Sequence, residues 1–262
     1  MFNSKKVLVT GSDGQLGRTL QKSCSAKNSF EWIFLPKEKL DITNIDEVKA
    51  AFEMYNPSFC INCAAFTDVL KSEKEPALAY KVNVEGVKNL TQICNDNEAS
   101  MIHISTDYVF DGTKKRPYIE NDKANPLNTY GMTKYLSEKH VLENLNLGYI
   151  IRTSWLYSKY FGRNFYRNIL NEASMGNEIK VVKDQYGTPT NTEKVADFIK
   201  KIITSLPKKG IYHCAGEDVM SWYDFANKII KEKNYSNKII PVKSMSSYVK
   251  RPSYSPLKNT EI

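Results

Sequence analysis

The chain has 262 residues, of which 41% are apolar, 25% charged and 11% aromatic, and its formal net charge is +8. This balance is typical of a globular protein and excludes a disordered or fibrous chain. Its apolar runs are shorter than the roughly 20 residues that cross a bilayer, and its dispersed lysines form no basic stripe. The sequence therefore predicts no membrane and no nucleic-acid partner, while the mildly positive field favours an anionic substrate.

The beginning of the chain and its cysteines indicate the compartment. A strand-like run starts at Val7, which leaves no room for a signal peptide. Five cysteines are an odd number, and the Cys60/Cys63 pair lies in a buried strand pattern with no second pair at metal-ligand spacing. We expect free thiols, no bound metal and a cytoplasmic protein.

Short apolar runs alternate with longer helical patterns through the first 155 residues. They predict strands at residues 7–10, 32–35, 59–63, 101–105 and 149–153, with helices at 15–26, 46–56, 77–97 and 128–146 between them. Because the strand patterns are continuously apolar, both faces of the sheet should be buried under helices. The repeated β-α-β order predicts an α/β fold with a doubly wound parallel sheet.

The pattern changes after Trp155. Helices are predicted at residues 165–175, 193–205 and 222–232, joined by short strands and polar turns. Ser221 followed by Asp224 indicates a capped start for the last of these helices. We therefore predict a domain over residues 1–155 and a smaller substrate-binding lobe over residues 156–262, interleaved with the first.

The first strand runs into a glycine-rich turn with the pattern GxxGxxG, followed by a helix. Gly11 allows a tight turn, Gly14 lets backbone N–H groups approach a pyrophosphate, and Gly17 permits close packing of the helix. The N-terminus of that helix, which begins at Gln15 and Leu16, favours phosphate charge. A strand, this turn and a helix together predict a dinucleotide-binding (Rossmann) domain.

The second predicted strand should end near the adenosine ribose. Basic groups there accommodate the extra phosphate of NADP, whereas an acid selects NAD. Lys37 and Arg18 favour NADP, although both are also compatible with a solvated surface. The cofactor is therefore NADP or NAD.

Further residues are candidates for the cofactor site because they follow the carboxyl ends of predicted strands, where ligands of such sheets bind. Asp41 and Ile42, after the second strand, could reach the adenine. The turn formed by Ala64, Ala65 and Phe66 could flank the dinucleotide. Asn83 is a polar residue in a packed helix and could orient a backbone turn or a catalytic lysine.

Tyr130 and Lys134 are four residues apart, on one face of a predicted helix. A phenol has a pKa of about 10, and a nearby ammonium lowers it toward a value useful for proton transfer. Thr106 follows a buried strand, and its hydroxyl could bind a substrate oxygen beside the phenol. This order along the chain, Thr106, then Tyr130, then Lys134, predicts the site of a hydride-transfer enzyme.

The sequence resembles the extended short-chain dehydrogenases/reductases and, within them, the dTDP-4-dehydrorhamnose reductase family. The segments that carry the resemblance extend over most of the chain and include residues 14–17, 40–43, 62–67, 82–83, 105–112, 130–131, 152–155, 184–190 and 221–226. The Thr-Asp-Tyr-Val-Phe-Asp-Gly and Gly-Thr-Pro-Thr segments are specific to this branch. Members usually continue beyond the position of Ile262, which predicts a shortened lobe.

The resemblance implies reduction of the C4 ketone of dTDP-4-dehydro-L-rhamnose by a nicotinamide cofactor. Thr106, Tyr130 and Lys134 would form the catalytic triad, and Thr106, Asp107 and Trp155 would face the sugar. Arg251 is the expected partner of the nucleotide diphosphate, because a guanidinium makes bidentate phosphate contacts. A homodimer is left open.

Two other functions are compatible with parts of this pattern. A nucleotide-sugar dehydratase or epimerase would share the fold, but dehydratases of this type commonly have Asp-Glu after the threonine, where this chain has Asp107 and Tyr108. A non-catalytic NADP-binding regulatory subunit, similar to that of methionine adenosyltransferase, would bind a partner protein without turnover. The complete set of Thr106, Tyr130 and Lys134 favours the reductase.

Overall fold

The computed structural model describes residues 5–24, 30–244 and 249–262. The first part of the chain forms, in order, β1 (Lys5–Thr10), α1 (Gln15–Ser23), β2 (Phe30–Leu35), α2 (Ile45–Tyr55), β3 (Phe59–Asn62), α3 (Val69–Lys74), α4 (Pro76–Tyr80), a π-helical turn (Lys81–Glu85), α5 (Gly86–Asp96), β4 (Ser100–Thr106), a 3₁₀ turn (Asp107–Val109), α6 (Thr129–Asn144) and β5 (Gly148–Thr153).

The second part continues with shorter strands. It forms β6 (Leu156–Tyr157), α7 (Phe165–Ser174), β7 (Ile179–Val182), β8 (Tyr186–Gly187), β9 (Thr190–Asn191), α8 (Thr192–Ser205), β10 (Gly210–His213), β11 (Met220–Ser221), α9 (Trp222–Glu232) and β12 (Ile239–Val242). The predicted helix at 15–26 ends at Ser23, and its residues 25 and 26 lie outside the described residues.

Six strands form one parallel sheet in the order β2-β1-β3-β4-β5-β10. The predicted doubly wound α/β fold is confirmed, and each of the five predicted strands is present within a residue or two of its expected bounds. The sixth strand, β10, was not predicted, because its four residues, Gly-Ile-Tyr-His, give too short an apolar run to stand out.

Alternate residues of the central strands enter two different cores, as the two-residue period of a strand requires. Val7 and Val9 of β1 pack on the side of α1 and α8, whereas Leu8 packs on the side of α2, α5 and α6. All three residues are fully buried. This two-sided burial explains why the strand patterns are continuously apolar.

The smaller lobe has its own core, built from α7, β7, α9 and β12. The start of α9 is fixed by a capping box in which the Ser221 hydroxyl accepts from the Asp224 N–H at 3.1 Å and the Asp224 carboxylate accepts from the Ser221 N–H at 3.2 Å. The predicted helix cap is therefore confirmed.

The two parts of the chain exchange segments. Helix α8 packs against α1, and β10 pairs with β5, so residues 192–213 lie with the large sheet although they follow Trp155 in the chain. The apolar face of α8, which includes Val195, Ile199 and Ile202, belongs to the core of the sheet. The division at residue 155 stays a prediction about folding units. Across the described ranges, every helix is too short or too polar to traverse a lipid bilayer.

Candidate active site

A cavity of about 570 Å³ opens at the carboxyl ends of β1, β3, β4 and β5, between the sheet and the smaller lobe. This is where ligands bind in open parallel sheets. It is lined by eleven of the predicted site residues: Gly14, Gln15, Leu16, Gly17, Ala64, Ala65, Thr106, Asp107, Tyr130, Lys134 and Trp155. The other six predicted site residues are outside its lining: Gly11, Asp41, Ile42, Phe66, Asn83 and Arg251.

The glycine loop is shaped by positions that exclude a Cβ atom. Gly11 has φ of +57°, and a Cβ there would come within 2.7 Å of the Ala64 backbone. At Gly17 a Cβ would come within 2.5 Å of Ser12 Cα. Gly14 precedes the first helical residue of α1, and no side chain caps the N–H groups of that helix. A bare helix N-terminus behind a loop without side chains fits the pyrophosphate of a dinucleotide.

We expect Gly17→Ala to weaken dinucleotide binding at least tenfold and to cost about 1–3 kcal/mol of stability. The added methyl group would push the Ser12 backbone outward and reshape the loop. Binding would be measured by calorimetry and stability by denaturant unfolding. Gly176→Ala is the control, because Gly176 lies outside the cavity. A Cβ at Gly176 meets no atom within 4 Å, so the substitution would lower stability only through its φ of +75°. Equal dinucleotide affinities of Gly17→Ala and wild type would contradict this interpretation.

Asp41 and Ile42 do not reach the cavity. The Asp41 carboxylate accepts from the N–H and hydroxyl of Thr43 at 2.9 and 2.8 Å, which is a local turn. Ile42 is buried in the core beneath α2 and α5. Their predicted contact with adenine therefore has no support from the side-chain geometry.

Asn83 stands in the π-helical turn and connects two parts of the site. Its side-chain oxygen accepts from the Phe66 N–H at 2.8 Å, and its amide donates to the Phe66 carbonyl at 3.0 Å and to the Thr133 hydroxyl at 3.0 Å. It thus holds the turn after β3 and the helix that contains Lys134. Phe66 enters this contact through its backbone. Orienting a backbone turn is one of the two roles that the sequence predicts for Asn83.

Gln15 joins the glycine loop to the smaller lobe. Its amide donates to the Leu156 carbonyl at 3.1 Å, and its oxygen accepts from the Ser158 N–H at 3.2 Å and the Asn164 amide at 3.1 Å. The side chain is therefore committed to the cleft wall, which leaves the backbone of the loop to face a ligand.

The three predicted catalytic residues meet in the cavity. Thr106 is the last residue of β4, and Tyr130 and Lys134 follow each other on one face of α6. The start of α6 is fixed by the Asn128 side chain, which accepts from the Gly131 N–H at 2.8 Å. The hydroxyl groups of Tyr130 and Thr106 belong to residues that both line the cavity. A carbonyl oxygen between them would have two donors.

The expected lowering of the Tyr130 pKa by Lys134 is wrong for this arrangement. Burial raises the pKa of Tyr130 to about 12, opposed by the hydrogen bond from Thr106 and assisted by the negative charge of Asp107. Lys134 does not act as a permanent ammonium, because burial lowers its own pKa to about 7. Its Nζ lies 3.0 Å from Nε2 of His103, a residue that the sequence analysis did not select.

Asp107 lies beneath the catalytic hydroxyls and is 2% exposed. Its carboxylate accepts from the hydroxyl groups of Thr106, Ser154 and Ser255 at 3.2, 3.2 and 2.5 Å. Burial raises the pKa of Asp107 to about 6, although these three hydrogen bonds lower it. The hydroxyl groups occupy one acceptor position on Oδ1 and two on Oδ2. The predicted contact with the sugar would use the second position on Oδ1 or displace one of these hydroxyls.

The raised pKa of Asp107 predicts a pH dependence of stability. A carboxyl whose folded-state pKa exceeds its unfolded value of 3.8 binds its proton more tightly in the folded protein. Its protonation therefore stabilises the fold fully below pH 3.8, and this stabilisation is lost as pH rises through about 6. Relative to Asp107→Asn, wild type should therefore lose roughly 2 kcal/mol of stability between pH 4 and 6. Urea unfolding of both proteins across this range measures the difference, and a constant difference would refute the assignment.

Trp155 forms one wall of the cavity in a constrained conformation. Its φ is +48°, in the left-handed region that an indole residue rarely occupies. The ring stacks on Trp222 with centroids 3.4 Å apart and planes 1° apart. It also covers Gly187, where any Cβ would collide with the indole. The glycine of the Gly-Thr-Pro-Thr segment is thus required by the position of Trp155.

Arg163 lines the cavity, whereas Arg251, the predicted partner of the diphosphate, is outside the lining. Arg251 is exposed and outside the lining, although its charge lies near the hydroxyl of Tyr108. Arg163, which precedes α7 in the smaller lobe, lines the cavity. No motif in the sequence marks Arg163 as a site residue, apart from its position next to Gly162.

A buried ion pair supports α6 from below. The Arg152 guanidinium donates to both carboxylate oxygens of Glu138, at 2.9 and 2.7 Å, and the two side chains are 3% and 1% exposed. The Ser105 hydroxyl donates to the same carboxylate. Sequence reasoning missed this pair, because neither residue stands in a recognisable spacing with the other.

A glycine loop and a Tyr-x-x-x-Lys helix that line one cleft of a parallel sheet define an extended short-chain dehydrogenase/reductase. The model of the family described as the RmlD substrate binding domain matches residues 5–262. The chain belongs to this family, and the resemblance inferred from the sequence is confirmed.

Known relatives extend over most of the chain. A dTDP-4-dehydrorhamnose reductase of Aggregatibacter actinomycetemcomitans is 40% identical over 232 residues, which cover 87% of this chain and 79% of the relative. A dTDP-4-keto-6-deoxy-D-glucose reductase of Streptomyces niveus is 37% identical over 220 residues, with coverages of 84% and 75%. The crystal structure of a dTDP-4-dehydrorhamnose reductase from Bacillus anthracis in complex with NADP matches with a TM-score of 0.93 at 36% identity, covering 98% of this chain and 92% of that chain.

Proposed function

We propose that this chain reduces the C4 ketone of dTDP-4-dehydro-L-rhamnose to dTDP-L-rhamnose with NADPH. The single observation that carries the proposal is the convergence of Thr106, Tyr130 and Lys134 in one cavity with the glycine loop. The family and the names of its relatives support the nucleotide sugar as substrate. The complete triad favours turnover over a purely regulatory role.

The residues of the chain fit a nicotinamide dinucleotide. Gly11, Gly14 and Gly17 leave room for the pyrophosphate at the start of α1, and Ala64 and Ala65 leave room beside it at the end of β3. When bound, the nicotinamide supplies a hydride to the carbonyl carbon. The relative solved with NADP supports this form of the cofactor.

The choice of NADP over NAD is supported by Arg18, a residue of α1 that lies near the end of β2. Arg18 lines a second, smaller hollow with Phe34 and Pro36, and its guanidinium lies 4.6 Å from the centre of the Phe161 ring. A guanidinium held in this way can pair with the ribose phosphate. Asp13 lines the same hollow, so the preference for NADP over NAD depends on the balance between the positive charge of Arg18 and the negative charge of Asp13.

The protein groups divide the chemistry between them. Thr106, whose hydroxyl donates to Asp107 in the structure, turns its hydrogen to the carbonyl oxygen when the substrate binds. Tyr130 donates the proton that the oxygen takes up as it gains charge. Because the pKa of Tyr130 is about 12, the phenol is protonated at neutral pH and ready to donate. Lys134 binds the nicotinamide ribose and exchanges protons with the phenol. Trp155 packs against the sugar, and Arg163 pairs with the diphosphate.

An absorbance assay of nicotinamide oxidation tests this proposal. NADPH and NADH should each be offered with dTDP-4-dehydro-L-rhamnose and with its C3/C5 epimer, dTDP-4-keto-6-deoxy-D-glucose, the substrate in the name of the second relative. We expect consumption of NADPH with the rhamnose precursor to be fastest. Absence of oxidation with every combination would overturn the proposal, and faster turnover of the glucose-configured ketone would reassign the substrate.

Location and assembly complete the proposal. The five cysteines are all free, and this supports a reducing compartment such as the cytoplasm. A homodimer stays a prediction, which sedimentation of the purified protein would test.

A further inference from the structure

A buried histidine lies beside the catalytic lysine, and the proposed reaction gives it no role. His103 is on β4 and is 0% exposed. Its Nδ1 lies 3.1 Å from the Asn62 amide nitrogen, and its Nε2 lies 3.0 Å from Lys134 Nζ and 3.0 Å from the Ser137 hydroxyl. Every polar atom of the ring therefore faces a polar partner.

The orientation of the Asn62 side chain is fixed by two donors. Its oxygen accepts from the Thr10 hydroxyl at 2.7 Å and from the Ala64 N–H at 3.1 Å. The backbone N–H of Ala64 can only donate, so the oxygen of Asn62 must face it. The NH₂ group of Asn62 is then directed at His103.

Asn62 in turn fixes the proton on His103. Because the Asn62 NH₂ group donates to Nδ1, that nitrogen must be the unprotonated acceptor, and the ring proton lies on Nε2. The Ser137 hydroxyl already donates to the Lys134 carbonyl at 2.7 Å, so toward the ring it can only accept. The Nε2–H bond of His103 therefore points at two neighbours, the hydroxyl oxygen of Ser137 and Nζ of Lys134.

An ammonium group has three N–H donors and no lone pair, so it cannot accept from Nε2–H. A neutral amine can. We propose that His103 is a positioning residue for Lys134, held by Asn62 with its proton on Nε2 so that it selects the neutral amine at this contact. The inference rests on the proposed function, in which Lys134 exchanges protons with Tyr130.

The charges around Lys134 are consistent with this role. Burial lowers the pKa of Lys134 to about 7, while Glu138 on α6 and Cys63 after β3 raise it. The effect of Glu138 is offset by its pairing with Arg152 of β5. Burial and the charge of Lys134 hold the pKa of His103 well below its usual value, so the ring stays neutral.

The consequence for the reaction is a lysine whose proton is exchangeable at neutral pH. After Tyr130 gives its proton to the substrate oxygen, the phenolate must recover one. The ammonium form of Lys134 can return that proton, and the resulting amine then accepts from His103 Nε2–H until water reprotonates it. Without His103 the amine would lose this partner and the ammonium would persist.

Two spectroscopic measurements on the full chain test the inference. Long-range proton–nitrogen spectra of ¹⁵N-histidine protein should show His103, one of three histidines, in the Nε2–H form. In Asn62→Asp, the new carboxylate accepts from Nδ1–H, so the proton should move to Nδ1. Titration of ¹³Cε-lysine protein, with Lys134 assigned by its loss in Lys134→Met, should show a midpoint near neutral pH.

His103→Gln supplies the charge-neutral variant. Its amide oxygen can accept from the ammonium, so the Lys134 midpoint should rise by at least one pH unit. Thr10→Val is the matched control: it removes one bond of the same network, but the Ala64 N–H still orients Asn62. The midpoint and the tautomer should both remain at their wild-type values.

A wild-type ring in the Nδ1–H form, or a Lys134 midpoint near the ordinary value of about 10.4, would overturn the proposal. An unchanged midpoint in folded His103→Gln would also overturn it. Neither measurement needs turnover, so a protein that fails to reduce the keto-sugar but shows the expected tautomer and midpoint would refute only the proposed function.

Discussion

Tyr130→Phe is expected to lower kcat/KM for ketone reduction by roughly 100- to 10,000-fold, the range typical of a lost general acid. The variant removes a single oxygen, that of the phenol that lines the cavity together with Thr106. The ring would still pack edge-on against Tyr108, with centroids 5.8 Å apart, so the shape of the cavity should be retained. Steady-state rates with NADPH and the keto-sugar measure the effect.

Tyr108→Phe is the matched control for this experiment, because it removes a second phenol oxygen from the same cavity. Burial raises the pKa of Tyr108, as it does that of Tyr130. The residue four positions after Tyr108 is Gly112, so Tyr108 lacks the following lysine that Tyr130 has. We expect a loss below tenfold. Affinity for NADPH should be unchanged in Tyr130→Phe, since the glycine loop is untouched. If both variants lose activity equally, Tyr130 is not the proton donor.

Glu138→Ala should destabilise the protein by about 3–5 kcal/mol, because it leaves the guanidinium of Arg152 buried without a counter-charge. Among the residues that the structure describes, the Arg152 guanidinium would keep one hydrogen bond, to the Glu120 carbonyl at 3.3 Å. It would also stay 5.0 Å from the centre of the Phe110 ring. Urea unfolding with linear extrapolation gives the change in free energy.

The double variant Glu138→Leu/Arg152→Met removes both charges. It distinguishes the destabilisation caused by an unpaired buried charge from the net contribution of the ion pair to stability. Removing both charges and keeping the volume should recover most of the stability, since a well-packed apolar pair is often as stable as a buried ion pair. A single variant within about 1 kcal/mol of wild type, or a double variant no more stable than the single one, would contradict the buried-pair interpretation.

The sequence predicted the fold well where one physical rule governs a long segment. The strands containing Val7–Val9 and Met101–Ile104 are buried on both faces, so their apolar runs could be read directly. The glycine loop was equally readable, because at Gly11 and Gly17 a Cβ has no room. Tyr130 and Lys134 could be paired because helical spacing is local.

The features of the site that could not be predicted depend on contacts between segments that are distant in the sequence. Arg163 lines the cavity because the loop before α7 lies beside the cleft, and the spacing of the arginines in the sequence does not reveal this contact. His103 reaches Lys134 only through the packing of α6 on β4. Asp41 was placed at the adenine by its position after β2, whereas a neighbouring threonine engages its carboxylate.

β10 is the last strand of the large sheet to be synthesised, so the sheet has an incomplete edge during translation. Residues 210–213 cover the outer edge of β5, which is complete some sixty residues earlier in the chain. While the ribosome is still making α7 and α8, the hydrogen-bonding groups of β5 have no partner on that side. Such an open edge is a template for intermolecular pairing. The nascent protein is therefore most prone to aggregate in the interval before Gly210 emerges.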